Sequence, residues 1–272
     1  MKNVILNNGV SMPMVGLGVF RCSEEEAYNA VKSALEVGYT HIDTAMIYAN
    51  ENAVGQAIKD SKIPREKLFI TTKLWNEDMR KDNQRNAIET SLKKLGLDYV
   101  DLYLVHWPVK EKFVPSWLEM EKIYKDGLAK AVGVSNFLIH HLEEIFKVSD
   151  LVPAVNQVEF HPYVVQKDLT DFCKKHNIQF ESWSPLGAIK NGLLEDKTIV
   201  ELAEKYGKTP AQIILRWNID KGIVTIPKSS NKERQLQNIS IFDFELSTED
   251  VNKIDSLDRN ERVGSHPDTF DF

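Results

Sequence analysis

The sequence predicts an α/β fold: one closed (β/α)8 TIM barrel, with an N-terminal β-hairpin and additional helices near the C-terminus. Short apolar segments alternate with amphipathic ones along the chain, which is the pattern of parallel strands joined by crossover helices. No linker or change of composition interrupts this alternation. The length of 272 residues suits a barrel, which takes about 250. We therefore expect a single domain covering residues 1–272.

The elements follow in order from the hairpin. Residues 7–9, Asn-Asn-Gly, separate two short β-prone segments, which is a typical hairpin signal. Apolar segments then predict the barrel strands, at residues 15–20, 40–45, 69–74, 100–106, 130–135, 154–159, 179–185 and 223–227. Amphipathic segments predict the helices, near residues 23–37, 50–61, 82–95, 116–126, 138–148, 167–176, 197–206 and 231–239.

Residues at the helix ends support these boundaries. Ser23 is followed three residues later by Glu26, a capping-box pattern at the start of the first helix. Gly38 and Gly96 stand where glycine commonly ends a helix. Pro210 suits the first turn of a helix, so it predicts an additional helix before the eighth barrel strand.

The composition is that of an ordinary globular protein, with 42% hydrophobic and 27% charged residues. The net charge of −6 argues against a nucleic-acid partner or an anionic membrane surface. No segment approaches the ~20 apolar residues of a membrane span, and the first residues lack the apolar stretch of a signal peptide. Cys22 and Cys173 are far apart and form no Cys-x-x-Cys motif, as expected in a reducing compartment. We therefore expect a cytoplasmic protein.

Four polar residues stand at or just after the C-terminal ends of early strands: Asp43, Tyr48, Lys73 and His106. The active site of a (β/α)8 barrel lies at this end of the strands, so we expect the four side chains to converge. A lysine beside a phenol lowers the pKa of the phenol, and a carboxylate beside the lysine keeps the lysine charged. Tyr48 could then act as a general acid near neutral pH. The four residues therefore indicate acid–base chemistry on a carbonyl group.

Each of these residues also has a structural explanation when it is taken singly. Asp43 could cap a turn, and Tyr48 could pack as an amphipathic surface ring. Lys73 could be solvated, and His106 could be a buried histidine with satisfied hydrogen bonds. The catalytic interpretation depends on all four lying on neighbouring strand ends, where the loops meet at one pocket.

The chain also resembles the aldo-keto reductases, and it is most similar to the bacterial and protozoan branch that includes 2,5-diketogluconate and glyoxal or methylglyoxal reductases. The matching segments run nearly from end to end: MPMVGLGVF, GYTHIDTAMIYANE, TTKLW, DLYLVHWP, AVGVSNF, NQVEFHPY, SWSPLG and IPKSSNKERQLQN. The resemblance implies NADPH-dependent reduction of aldehydes and some ketones (small carbonyls, dicarbonyls or keto-sugars) to alcohols. It also implies a monomer.

The resemblance gives each member of the catalytic tetrad a role. Tyr48 would protonate the substrate oxygen as hydride arrives from the nicotinamide. Lys73, paired with Asp43, would lower the phenol pKa, and His106 would orient and polarise the carbonyl. Substrate contacts are also implied for three aromatic residues that would wall an apolar pocket, Phe20, Trp75 and Trp107.

The cofactor site requires a separate argument, because no G-x-G-x-x-G motif follows a strand. Gly16 and Gly18 lack the further glycine that would complete the motif, so a Rossmann-type site is not supported. In the eighth unit, Lys228 ends a strand and a helix bearing Lys232 and Arg234 follows. A helix N-terminus with basic residues is a phosphate site, and this one would suit the 2′-phosphate of NADP. The alternative is a solvated, charged helix start.

The resemblance implies NADP contacts along the whole C-terminal rim of the barrel. They are Val19, Phe20, Asp43, Ser135, Asn136, Gln157, Trp183, Ser184, Leu186, Gly187, Lys228, Ser229, Arg234, Gln237 and Asn238. Trp183 would stack on the nicotinamide, and residues 184–187 would touch the pyrophosphate. Ser135, Asn136 and Gln157 would bind the carboxamide. The alternatives are a core tryptophan and polar groups that satisfy strand-end backbone atoms.

Several further features carry weaker expectations. His161 is expected to be structural, and the adjacent His140 and His141 are expected to form a solvated surface pair. The loop before the fourth barrel helix and the tail after Arg259 are short compared with those of longer family members. Their brevity implies an open pocket that accepts small carbonyls.

Two functions of other classes remain open from the sequence. His41, Asp43, His106 and His161 could be ligands of a metal-dependent hydrolase. The chain lacks a His-x-His pair, however, and that function leaves the tyrosine and the lysine without a role, so we expect no metal site. Some barrels of this family serve instead as channel subunits or lens proteins, but the complete tetrad favours an enzyme.

Overall fold

Eight parallel strands form the barrel. In the computed structural model, which describes residues 2–189 and 191–272, the strands are β3 (Leu17–Gly18), β4 (His41–Asp43), β5 (Phe69–Leu74), β6 (Val100–Val105), β7 (Ala129–Ser135), β8 (Val155–Glu159), β9 (Gln179–Trp183) and β10 (Val224–Thr225). They pair in chain order, each with the next. The prediction of eight parallel strands in one barrel is therefore confirmed.

The barrel closes along a seam between its first and last strands. Val15 forms a parallel bridge with Thr225, and Gly18 forms one with Lys228. A Cβ atom at Gly18 would lie 2.9 Å from the carbonyl oxygen of Ile226, so the seam requires glycine at this position. The same pairing brings Lys228 to the C-terminal end of the barrel, since Gly18 also lies opposite Asp43.

The predicted hairpin covers the opposite, N-terminal end of the barrel. It consists of β1 (Asn3–Ile5) and β2 (Ser11–Pro13), which pair antiparallel. Its side chains Leu6 and Met12 lie in a buried apolar cluster with Phe69 and Leu102 of the barrel. Ligands therefore approach the barrel interior from the C-terminal end.

Helices surround the barrel. They are α1 (Glu24–Glu36), α2 (Glu51–Ser61), α3 (Asn76–Arg80), α4 (Gln84–Leu95), α5 (Phe113–Lys125), α6 (Ile139–Phe146), α7 (Lys167–Lys175), α8 (Lys197–Tyr206), α9 (Pro210–Asp220), α10 (Lys232–Ile239) and α11 (Thr248–Asp255). The additional helix at Pro210 is confirmed. Helix α3 was not predicted, and α5 begins at Phe113 rather than at residue 116. Pro115 does not prevent this earlier start, because the first turn of a helix tolerates proline.

The capping predictions hold at α1 and α4. Ser23 Oγ accepts a hydrogen bond from Glu26 N at 3.2 Å, and Glu26 Oε2 accepts one from Ser23 N at 2.9 Å. Gly96 ends α4 with a left-handed φ of 66°. None of the described helices is long and apolar enough to cross a membrane.

Candidate active site

A buried ion pair lies at the C-terminal end of β4 and β5. Lys73 Nζ donates hydrogen bonds to Asp43 Oδ1 at 2.6 Å and to the carbonyl oxygen of Thr44 at 2.9 Å. The Lys73 side chain is completely buried and that of Asp43 nearly so. Because β4 and β5 are parallel neighbours, their ends meet at one edge of the sheet. The structure thus brings two of the four predicted catalytic residues into direct contact.

Tyr48 and His106 complete the group above this pair. Lys73 Nζ lies 5.2 Å from the centre of the Tyr48 ring. The ring centres of Tyr48 and His106 are 5.8 Å apart, and the rings meet edge to face. The ring of Phe20 lies 5.0 Å from that of Tyr48. All four members of the predicted tetrad therefore lie together, with an aromatic ring beside the phenol.

The turn that carries Tyr48 is held by a buried asparagine. Asn50 Nδ2 donates to the carbonyl oxygens of Val19 at 3.0 Å and Cys22 at 3.2 Å, and Asn50 Oδ1 accepts from Thr44 Oγ1 at 2.8 Å. These bonds tie the loop after β3 to the loop after β4. The position of the phenol is consequently fixed by neighbouring backbone on both sides.

Opposing effects set the pKa values of the ion pair. Burial works to lower the pKa of Lys73, but the charges of Asp43 and Tyr48 and the Asp43 hydrogen bond outweigh it, so the pKa of Lys73 is raised. Burial raises the pKa of Asp43, against the lowering effect of Lys73. Lys73 is therefore a stable cation beneath the phenol.

The pKa of Tyr48 departs from the expectation. Burial raises it, Lys73 lowers it, and the Asp43 charge raises it, with a net direction above the usual value. Lys73 lowers the pKa of the phenol, as expected, but the larger effect of burial makes the net direction upward. A raised pKa keeps the phenol protonated across the neutral range, which is the form that a general acid requires.

His106 is a neutral imidazole in this site. Burial lowers its pKa well below the usual value, and the charge of Lys73 lowers it further. A neutral imidazole carries one N–H group, which can donate a hydrogen bond to a carbonyl oxygen. The backbone of His106 is held by Asn136, whose Nδ2 donates to its carbonyl oxygen at 3.0 Å.

The residues predicted to contact the nicotinamide form one hydrogen-bonded group. Asn136 Nδ2 donates to Ser135 Oγ at 3.1 Å, and Asn136 Oδ1 accepts from Trp183 Nε1 at 2.8 Å. Asn136 has a left-handed φ of 65°, which asparagine tolerates better than most residues. Trp183 is half-buried, so part of its ring remains accessible for stacking.

Gln157 has a structural connection that the sequence did not indicate. Its Nε2 donates to Asp43 Oδ2 at 2.8 Å and to Glu181 Oε2 at 2.9 Å. Gln157 thus links the Lys73–Asp43 ion pair to a second carboxyl group inside the barrel. Glu181 was not predicted to belong to the site, since a glutamate inside an apolar strand carries no motif.

The predicted phosphate site lies where β10 meets α10. Asn231 caps the helix, accepting a hydrogen bond from Arg234 N at 2.9 Å. Lys232 forms a salt bridge with Glu36 at 2.7 Å. In the described part of the chain, no carboxylate lies within ion-pair distance of Lys228 or Arg234. Two exposed cations without an acidic partner at a helix N-terminus fit a phosphate group.

The other predicted cofactor residues lie on the same end of the barrel. Val19 and Phe20 follow β3, residues 184–187 follow β9, and Ser229 lies between β10 and α10. In α10, Gln237 is exposed and Asn238 is buried. These residues therefore follow strand ends on the same rim as Trp183, and they remain predictions as cofactor contacts.

The tail of the chain covers two of the three aromatic residues predicted to wall the substrate pocket, Trp75 and Trp107. Phe272 stacks on Trp75 with ring centres 5.9 Å apart, and Phe270 lies 4.9 Å from Trp107. The carbonyl oxygen of Phe272 accepts hydrogen bonds from Asn76 Nδ2 at 3.0 Å and from Arg80 at 2.9 Å. The expectation that a short tail leaves this side of the pocket open is wrong. Helix α3, which was not predicted, supplies both donors.

A buried glutamate anchors the tail upstream of these contacts. Glu159 accepts hydrogen bonds from Gly264 N at 3.1 Å and from His161 Nε2 at 3.0 Å. A Cβ atom at Gly264 would lie 2.4 Å from the ring of Trp183. His161 thus has the structural role that was expected, and it helps to orient the carboxylate that holds the tail.

The adjacent histidines also contact the tail. His140 Nε2 lies 3.0 Å and His141 Nε2 3.4 Å from Asp268 Oδ1. His141 is buried, so the expectation of a solvated pair is wrong for this residue. Its Nδ1 accepts a hydrogen bond from Leu138 N at 3.1 Å, which leaves Nε2 as the protonated nitrogen facing Asp268. A metal ligand would need that nitrogen unprotonated. These contacts therefore favour hydrogen bonds from the histidines to Asp268 rather than a metal site.

Comparison with known proteins identifies the family. The model of the Aldo/keto reductase family matches residues 14–259. The glyoxal reductase of Bacillus subtilis (strain 168) is 53% identical over 270 residues, covering 99% of this chain and 97% of that protein. The methylglyoxal reductase DkgA of Escherichia coli (strain K12) is 48% identical over 267 residues, with coverage of 97% and 96%.

Solved structures agree with these matches. MGS-M4, an aldo-keto reductase enzyme from a Medee basin deep-sea metagenome library, has a TM-score of 0.95 and 48% identity, covering 99% of this chain and 100% of that one. A Bombyx mori aldo-keto reductase in complex with NADP has a TM-score of 0.93 and 38% identity, covering 98% and 96%. The barrel, the grouped tetrad and the full-length similarity lead to one conclusion: the chain is an oxidoreductase that belongs to the aldo/keto reductase family.

Proposed function

We propose that this protein uses NADPH to reduce small aldehydes, ketones and dicarbonyls to alcohols, with Tyr48 as the general acid. The observation that carries the proposal is the buried Lys73–Asp43 ion pair, which lies beneath a protonated phenol and beside a neutral imidazole. This arrangement suits proton donation to a carbonyl oxygen and has no evident use in a purely structural barrel.

Each of the four tetrad residues has its own role in the proposed reduction. The Tyr48 hydroxyl donates its proton to the substrate oxygen, and the Lys73 cation stabilises the phenolate that remains. The His106 N–H orients the substrate oxygen by a hydrogen bond. NADPH, when bound, supplies the hydride. Asp43 keeps the lysine charged throughout.

The cofactor would lie along the C-terminal rim. Trp183 offers a ring face for the nicotinamide, held in place by its bond to Asn136. Lys228 and Arg234 would bind the 2′-phosphate, and Ser184 and Gly187 lie in the loop that would approach the pyrophosphate. The cofactor choice is supported by Lys228 and Arg234, which have no carboxylate partner among the described residues, and by the NADP complex of the Bombyx mori relative.

The substrate class follows from the pocket walls and from the relatives. Phe20, Trp75 and Trp107 give the pocket apolar walls, and the tail narrows it at Trp75. The relatives named glyoxal and methylglyoxal reductase support dicarbonyls as substrates. We further propose that residues 1–272 act as a monomeric, single-domain enzyme of the cytoplasm, consistent with the free cysteines Cys22 and Cys173.

The test is a steady-state assay of NADPH oxidation with glyoxal, methylglyoxal and simple aldehydes. In Tyr48→Phe the ring remains but the proton is missing, so kcat should fall by about two orders of magnitude or more. NADPH affinity, measured by fluorescence titration, should change little. Tyr28→Phe, which alters a surface phenol bonded to Asp60, is the matched control and should keep normal turnover.

Two results would contradict the proposal. Turnover by Tyr48→Phe close to that of the unaltered protein would remove the general-acid role. A protein that oxidises no NADPH with any of these carbonyls, but has a hydrolytic activity that a chelator abolishes, would instead favour the metal-dependent hydrolase.

A further inference from the structure

A second carboxyl group lies inside the barrel beneath the catalytic pair. Glu181 on β9 is completely buried. A side-chain amide nitrogen carries two hydrogen atoms, and Gln157 uses both, one on Asp43 and one on Glu181. The two carboxyl groups are therefore joined through a single amide.

The other oxygen of Glu181 faces a histidine lone pair. Glu181 Oε1 has no hydrogen-bond partner among the described residues, and it lies 3.7 Å from His41 Nε2. His41 Nδ1 lies 3.3 Å from the carbonyl oxygen of Pro13, which can only accept, so Nδ1 carries the proton. The Nε2 lone pair also lies 3.4 Å from Thr71 Oγ1, whose hydroxyl group can donate to it. An ionised Glu181 oxygen beside that lone pair would be repelled, whereas a protonated oxygen would not.

The charges around Glu181 do not balance if it is ionised. Its strand partners, Gln157 on β8 and Val224 on β10, do not titrate. Across the barrel it faces Asp43 and His41 on β4 and Lys73 on β5. Burial lowers the pKa of His41 to about 3, so this histidine is neutral. One lysine then stands against two carboxyl groups, and a buried site does not hold an unpaired anion without a large cost.

The pKa of Glu181 agrees with this count. Burial raises it to about 8, and the negative charge of Asp43 contributes to the increase. At neutral pH the group is therefore largely protonated.

Building on the proposed function, we propose that Glu181 is a positioning residue that works as a neutral carboxylic acid. In this form it leaves Asp43 as the single counter-anion of Lys73 and fixes the amide of Gln157 between the two carboxyl groups. When Glu181 ionises at alkaline pH, a second negative charge offsets Lys73, and the phenolate of Tyr48 is less well stabilised. Carbonyl reduction should then slow at a pH well below the one at which Tyr48 itself loses its proton.

The first test is the pH dependence of kcat/KM for reduction. The unaltered enzyme should lose activity with a midpoint near pH 8. Glu181→Gln has the same shape but cannot ionise, so its midpoint should move upward by at least about two pH units, because the pKa of Tyr48 is raised above the ordinary phenol value of about 10. Glu181→Asp can still ionise and should keep an inflection near that of the unaltered enzyme.

Glu51→Gln is the matched control. Glu51 is a buried glutamate that accepts a hydrogen bond from Thr72 Oγ1 at 2.7 Å, outside the tetrad, and its variant should keep the midpoint of the unaltered enzyme. A Glu181→Gln profile that superimposes on that of the unaltered enzyme would overturn the proposal.

A second test does not require turnover or a foldable variant. In unaltered protein labelled with carbon-13 at the glutamate carboxyl, one resonance should titrate near pH 8, far above the ordinary value of about 4.3. If all glutamates are ionised at pH 7, the proposal fails even if the enzyme reduces carbonyls. If the raised resonance is present but NADPH is not oxidised, the proposed function fails and the neutral carboxyl group remains.

Discussion

At the scale of single residues, the Lys73–Asp43 pair has both a proposed catalytic role and a structural one. The lysine holds the positive charge beneath Tyr48, while the aspartate keeps that charge inside the barrel. A buried ion pair that loses one partner leaves the other charge uncompensated. Substitution of either residue should therefore affect stability as well as rate.

Lys73→Met separates these two effects when it is compared with the double variant Lys73→Met/Asp43→Asn. The single variant should lose at least about a hundredfold in kcat, and its free energy of unfolding should fall by about 3–5 kcal/mol. The double variant should recover much of the stability and none of the activity. Urea unfolding measures the stability and steady-state kinetics measure the activity. An unchanged free energy of unfolding in Lys73→Met would contradict the prediction that the ion pair stabilises the fold.

The residues of the tetrad could be predicted because barrel topology brings strand ends together. The sequence names Asp43, Lys73 and His106 by their places after apolar strands, and parallel register then makes them neighbours. The direction of the Tyr48 pKa shift was not predictable, since it depends on how much solvent the folded rim excludes. Glu181 was missed for a similar reason: its link to the site exists only through Gln157 across the barrel.

At the scale of elements, α10 and the seam of the barrel assemble the proposed phosphate site. The bridge between Gly18 and Lys228 sets the height of the lysine on the rim. The capped start of α10 then presents Arg234. Because Lys232 is engaged with Glu36, two of the three basic residues predicted from the sequence remain available for an anion.

Arg234→Ala should distinguish the two nicotinamide cofactors. Charge-assisted hydrogen bonds to phosphate contribute about 1.5–3 kcal/mol, so NADPH affinity should fall roughly ten- to a hundredfold. NADH has a neutral ribose at this position, and its affinity should be nearly unchanged. Lys232→Ala is the control with a much smaller expected effect. Equal losses for both cofactors in fluorescence titrations would mean that Arg234 is structural.

The helices and strands could be predicted except where tertiary packing decides them. The strands β3 and β10 are shorter than their apolar segments, because only two residues of each form ladder pairs with β4 and β9. Helix α3 has five residues, too few for a periodic signal. Its role depends on a tertiary contact, because Asn76 and Arg80 bind the tail.

At the scale of the whole molecule, the tail joins the residue predicted to bind the nicotinamide, Trp183, to residues predicted to contact the substrate, Trp75 and Trp107. Glu159 fixes it at Gly264, against the ring of Trp183. Its last residues then pack on Trp75 and Trp107. The sequence gives no periodic pattern over this segment, so its path could not be predicted.

Gly264→Ala tests this connection. Gly264 does not have a left-handed backbone, so the substitution adds volume against Trp183 without backbone strain. Overpacking of this kind costs about 1–3 kcal/mol, and we expect lower stability, altered tryptophan fluorescence and weaker NADPH binding. Ser265→Ala, an exposed neighbour, is the control and should behave as the unaltered protein. Normal fluorescence and normal NADPH affinity in Gly264→Ala would contradict the connection.

The seam between β3 and β10 also has a consequence for how the protein folds. It joins Gly18 to Lys228, residues separated by most of the chain, and contacts of such long range form late because of the entropy lost in closing the loop. Asp43 pairs with Gly18 on the β3 side of this seam, whereas Lys228 lies on the β10 side. A refolding intermediate could therefore hold an intact Lys73–Asp43 pair while the proposed phosphate site is still divided between two unjoined edges. Recovery of cofactor binding during refolding would then report the closing of the barrel rather than the formation of its strands.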